Sequence, residues 1–122
     1  MKKLFLCFLI LPFIFSYNSC TKDKTPVPVD CIQTDTINTY TKSVKQIFDD
    51  NCAVSGCHDA VTAFNGVRLD TYENSVNAVK TQLTFFCSIE NTCTPFMPYL
   101  GDKLEDSLIT KIKLWKANCY AQ

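Results

Sequence analysis

The residues richest in possible chemistry lie together in Cys52-Ala53-Val54-Ser55-Gly56-Cys57-His58. Two thiols are followed directly by an imidazole. Each S–H can add across one vinyl group of a haem, and the adjacent histidine then falls beneath the iron. The usual attachment motif has two residues between its cysteines, and this one has four. His58 is the only histidine in the chain, so any imidazole chemistry must use it. A haem held here needs a second axial ligand from another residue type. Apart from the initiator, Met97 is the sole methionine, and it stands 39 residues after His58 in Pro95-Phe96-Met97-Pro98. That length lets the chain pass a haem edge and bring the thioether to the opposite face, with prolines stiffening the loop. The plainer role for Met97 is filling a gap in the core.

The same residues admit a zinc site built from Cys52, Cys57, His58 and one of Cys87 or Cys93. Free thiolates are rare in an oxidising compartment, which disfavours it. No Ser-His-Asp or Cys-His-Asn set, phosphate-binding glycine loop or paired-carboxylate motif is present, so the chain does not read as an enzyme.

The compartment is read from residues 1–19, which have the form of a lipoprotein signal peptide. Lys2 and Lys3 precede a twelve-residue apolar stretch, Leu4 to Phe15, too short for a lasting bilayer anchor. Tyr17-Asn18-Ser19-Cys20 resembles a bacterial lipobox, loose at its first two positions as in lipoproteins of the Bacteroidetes type, and makes Cys20 the lipidation site. From Cys20 onward there are ten basic and twelve acidic side chains, a balance of −2. Such a chain lacks the basic surplus that nucleic-acid binding requires. With Cys7 lost and Cys20 lipidated, six cysteines remain. Two thioethers plus two disulfides, or three disulfides and no haem, both leave an even count. The second possibility describes a disulfide-stapled binding or structural module with His58 idle.

Residues 20–37 hold Pro26 and Pro28 with many Thr and Asp, and read as a flexible tether. Residues 38–122 form the domain. A domain of this size buries only roughly 60% of its unfolded surface, so a staple or cofactor is expected. Three helices are predicted in a small all-α fold with long loops. The first spans about 42–51, with Val44, Ile47 and Phe48 in one stripe that leads into Cys52. The second spans about 72–82, with Tyr72, Val76, Val79 and Leu83 on one face. In the third, Asp102 and Glu105 make a capping box, and Leu104, Leu108, Ile109, Ile112 and Trp115 form the apolar face up to about Asn118. Residues 85–101 read as irregular.

Taken in order, these motifs resemble small cytochrome c domains of bacterial envelope lipoproteins. The first helix ends in an attachment motif of the form C-x₂₋₄-C-H, and Gly66-Val67-Arg68-Leu69-Asp70-Thr71-Tyr72 matches a following Gly-hydrophobic-x-Leu-x-x-Tyr stretch. Met97-Pro98 matches a Met-Pro loop, and Leu104, Ile109, Ile112 and Trp115 match the closing helix. The resemblance covers about residues 40–118. It implies one covalent haem c per chain, with thioether bonds from Cys52 and Cys57, His58 as proximal and Met97 as distal iron ligand. It implies one-electron transfer with a redox partner protein at the envelope, the chain being held to the membrane by its N-terminal lipid. Gly56 suits the longer attachment loop, since glycine accepts unusual φ.

The resemblance also implies that the first and last helices cross, bringing Phe48 near Trp115. Relatives have small residues after the last helix, where this chain has Asn118-Cys119-Tyr120. That points to Cys119 paired with Cys31, leaving Cys87 with Cys93. Burial of the ring is expected from Ile47, Phe48, Leu69, Phe85, Phe96, Leu100, Ile112 and Trp115. Lys103, Lys111, Lys113 and Lys116 offer a weak docking rim, and a solvated helix face is the better account of them, since three lie on one amphipathic helix.

Overall fold

A computed structural model describes residues 33–122. The signal segment, Cys20, Cys31 and most of the proposed tether lie outside the described residues. The fold is helical, with no strand among the described residues. A π-helical turn over Tyr40–Val44 runs straight into α1 (Lys45–Asn51), so the first predicted helix is present with a wider opening turn. Thr39 caps that opening by accepting the Lys42 N–H on its hydroxyl at 3.3 Å.

The second helix, α2 (Tyr72–Thr81), is capped in the same way by Thr71, which accepts the Asn74 N–H at 3.2 Å. It ends one residue earlier than expected. Gln82 leaves the helical region at ψ 102°, so Leu83 falls outside the apolar face and is 99% exposed. A further helix, α3 (Phe85–Ile89), occupies part of the stretch read as irregular. Its signal is brief: Phe85 and Ile89 at i and i+4 are both buried, and five residues are too few to establish a period.

The last helix, α4, spans Asp106–Ala117, and the expected capping box does not form. Glu105 holds the N-cap position without a side-chain hydrogen bond. The physical reason is Leu104, which is buried while Asp102, Lys103 and Glu105 stay exposed, so residues 102–105 form a non-helical segment before the helix begins. Among the described residues there are therefore four α-helices rather than three, with a 3₁₀ turn at Phe64–Gly66.

Trp115 of α4 is the centre of the core and has no exposed surface. The rings of Phe48, Tyr40 and Tyr120 lie around it at centroid distances of 6.2, 5.7 and 5.1 Å. Phe48 therefore does meet Trp115, edge to face at 77°, tying α1 to α4. The buried indole needs a hydrogen-bond acceptor, and its Nε1–H donates to the Ala121 carbonyl at 2.9 Å. The same carbonyl accepts the Tyr40 N–H at 2.7 Å. To reach that position the chain passes through left-handed backbone at Cys119 (φ 58°) and Tyr120 (φ 57°). Cys119 is disulfide-bonded, and its suggested partner Cys31 lies outside the described residues. The Cys87–Cys93 bond is formed. Against this scaffold, α1 and the segments flanking α3 and α4 face a common cleft.

Candidate functional site

The α1 helix delivers Cys52 directly as its C-cap, the Cys52 N–H donating to the Phe48 carbonyl at 2.9 Å. The chain then turns back on itself. The His58 N–H donates to the Cys52 carbonyl at 3.0 Å, and the Cys57 N–H to Val54 at 3.0 Å. This turn passes through Gly56 at φ +86°, a region where a Cβ is costly, so the Cys52–Cys57 loop uses its glycine to change direction. Asp59 holds the far side of the loop. Its carboxylate accepts the N–H groups of Gly56, Val61 and Thr62 at 2.9, 2.6 and 2.7 Å. These donors, Thr62 foremost and then Val61, hold its pKa below the usual carboxylate value.

His58 is oriented from both backbone and ring. Its carbonyl accepts the Leu69 N–H at 2.9 Å, and its Nδ1 lies 3.0 Å from the Val67 carbonyl oxygen. A carbonyl only accepts, so this contact makes Nδ1 the protonated nitrogen and leaves Nε2 with its lone pair. The Phe64 ring packs edge-on against the imidazole at 6.2 Å. Cys52 and Cys57 are both free thiols. Cys52 is half-buried; burial first, and then neighbouring Cys57, pushes its thiol up to about 12. Cys57 is exposed.

Two adjoining cavities of about 190 and 180 Å³ open beside these residues. Both are lined by Cys52, His58, Ile89, Met97 and Leu104, so together they form one cleft. Cys57 and Phe64 complete the outer cavity, and Phe48, Leu69, Phe85 and Ile112 form the floor of the inner one. The structure thus brings Cys52, Cys57, His58 and Met97 to a common, mostly apolar cleft. Met97 is suspended from α3, its N–H donating to the Ser88 carbonyl at 3.0 Å.

Four of the expected lining residues, Phe48, Leu69, Phe85 and Ile112, are in place. Four are not. Phe96 and Leu100 turn outward, 50% and 92% exposed, and Ile47 and Trp115 are buried in the core without lining either cavity. Sequence reasoning missed Ile89, Leu104, Phe64 and the Val67 carbonyl. Leu104 was read as part of a helix stripe, and no side-chain pattern marks a backbone oxygen that orients a ring.

The alternative donors are spent elsewhere. Cys87 and Cys93 are bonded to each other, which removes the third thiolate a zinc site would take. No group of three or more His, Cys, Asp or Glu is gathered for a metal ion among the described residues. Three of the four candidate docking lysines have local partners: Lys113 with Glu90, Lys103 with Asp106 at 2.5 Å, and Lys116 over the Phe86 ring at 5.0 Å. No helix among the described residues is long and apolar enough to cross a membrane. No family model, curated protein or solved structure matches the chain.

Proposed function

We propose that this chain is a monohaem c-type cytochrome that transfers single electrons at a bacterial cell envelope, held there by lipid on Cys20. The observation that carries the reading is His58, whose Nδ1 is committed to the Val67 carbonyl while its ring lines an apolar cleft shared with two free thiols and Met97. A histidine that ligates a metal through Nε2 commonly gives its other N–H to such an acceptor, which fixes tautomer and ring orientation. The donor set therefore fits haem c.

When bound, the haem supplies a one-electron Fe(III)/Fe(II) couple. The protein's part is to hold and tune it. Cys52 and Cys57 would carry the thioether bonds, each S–H adding across one vinyl group with its proton going to the neighbouring vinyl carbon. His58 and Met97 would hold the iron, and a thioether ligand would raise the potential. Leu69, Phe85 and Ile112 exclude water from the cleft floor, which further favours the less charged reduced state. Held by both His58 and Met97, the haem would serve as an electron carrier.

The free state of Cys52 and Cys57 weighs against the disulfide-stapled module, because that reading needs both in disulfides. The test is production in a host with cytochrome c maturation, followed by acid–acetone extraction of wild type and a Cys52→Ala/Cys57→Ala variant. Colour that stays with wild-type protein and is absent from the variant is the expected result. Wild-type protein that is colourless, with Cys52 and Cys57 joined to each other or to other cysteines, would establish the stapled module.

A further inference from the structure

We propose that the Cys87–Cys93 disulfide is the positioning element of the distal ligand, so that its reduction by a dithiol releases Met97 and opens the iron to small ligands. This rests on the cytochrome reading above. The loop that carries Met97, residues 94–101, has few attachments. Among the described residues, one hydrogen bond ties it to the rest of the fold, from the Met97 N–H to the Ser88 carbonyl at 3.0 Å. Thr94, Pro95, Phe96, Tyr99 and Leu100 are all exposed.

The acceptor of that one bond sits inside the disulfide ring. Cys87 and Cys93 are six positions apart and enclose Ser88, whose carbonyl also accepts the Asn91 N–H at 3.2 Å. The Cys87 carbonyl takes the N–H groups of Thr92 and Cys93 at 2.9 and 3.3 Å. The cross-link therefore fixes both ends of the Met97 attachment: the α3 carbonyl that receives it and the point from which the loop departs. On its other side α3 is anchored by buried Phe85 and Ile89, so the core stays in place when the ring is opened. Both cysteines are half-buried and within reach of a small reductant. The step breaks the S–S bond; two electrons and two protons from the dithiol yield two thiols, and the dithiol becomes a disulfide. The loop then gains chain entropy that the single Met97–Ser88 bond opposes weakly.

The test compares full-length holoprotein as wild type, Cys87→Ser/Cys93→Ser and Met97→Ala. Haem content is measured first, and a wild type without haem would overturn the cytochrome reading itself. With one haem per chain, wild type is expected to show the thioether-to-ferric charge-transfer band and its ferrous form to resist carbon monoxide. The double serine variant is expected to keep haem and helix content, lose that band, shift to a lower potential and bind carbon monoxide as Met97→Ala does. Dithiol-treated wild type, assayed in the ferrous state, is expected to gain carbon monoxide binding and lose it on reoxidation. This arm stands even if the variant does not fold. A retained band in the double variant, or no gain of carbon monoxide binding on reduction, would overturn the proposal.

Discussion

At His58 the two ring nitrogens have separate tasks. Nδ1 is held by the Val67 carbonyl, and in the proposed cytochrome Nε2 would be the nitrogen that meets the iron. The thiols beside it differ in the same local sense. An exposed Cys57 meets solvent, whereas Cys52, with its pKa pushed up to about 12, stays protonated at neutral pH. In haem-free protein, iodoacetamide is therefore expected to label Cys57 well before Cys52, as read by peptide mass spectrometry; equal rates would contradict the burial of Cys52. The raised pKa also carries a sign for stability. The folded chain binds the Cys52 proton more tightly than the unfolded one, whose value is near 9.0. Stability from this source is complete below that pH and is lost as pH climbs toward about 12. The melting temperature of haem-free protein should fall over that interval, and Cys52→Ala should flatten the fall. Asp59 acts in the opposite direction: with its pKa lowered, its hold on Gly56, Val61 and Thr62 weakens on acidification. Asp59→Ala is expected to speed amide exchange at those three residues.

Among the elements, α1 and α4 do the positioning, and the Phe48–Trp115 contact joins them. Phe48 also forms part of the cleft floor, so one side chain couples core to site. Phe48→Ala should cost about 3–5 kcal/mol by thermal or denaturant unfolding, and should lower haem retention as well. The apolar stripes at helical spacing made both helices legible in the sequence, whereas their crossing at Phe48 and Trp115 was expected only from the family resemblance. The Cys52–His58 segment stood out in the sequence because thiol and imidazole types in that order carry their own chemistry, and all three side chains line one cavity. Short elements were not legible. The α3 helix has five residues, owes its stability to buried Phe85 and Ile89 and to the Cys87–Cys93 bond, and offers no periodicity over so few positions. The start of α4 was misplaced because a favourable local capping pattern at Asp102 and Glu105 competes with burial of Leu104, and burial wins. Phe96 and Leu100 read as cleft residues by hydropathy alone, yet the loop turns them to solvent.

At the scale of the molecule, residues 35–40 and the segment that follows α4 close a small core together. Asn118 is buried at the end of α4, and its side chain donates to the carbonyls of Asp35 and Asn38 at 2.6 and 3.2 Å while accepting the Asp35 N–H at 3.2 Å. The Ala121 carbonyl joins Trp115 to Tyr40 close by. Asn118→Ala leaves those backbone groups unpaired and should cost about 1–3 kcal/mol, with faster amide exchange at Asp35. In the proposed cytochrome a covalent haem filling the cleft would cover apolar walls that otherwise face water, so folding and haem binding would depend on each other. That dependence makes haem content the most direct test of the whole account. The measurement is the absorption spectrum of protein from a host with cytochrome c maturation, denatured in alkaline pyridine and reduced. The account predicts the spectrum of a thioether-linked haem at one per chain. A protein that folds to this structure without haem under those conditions would contradict it.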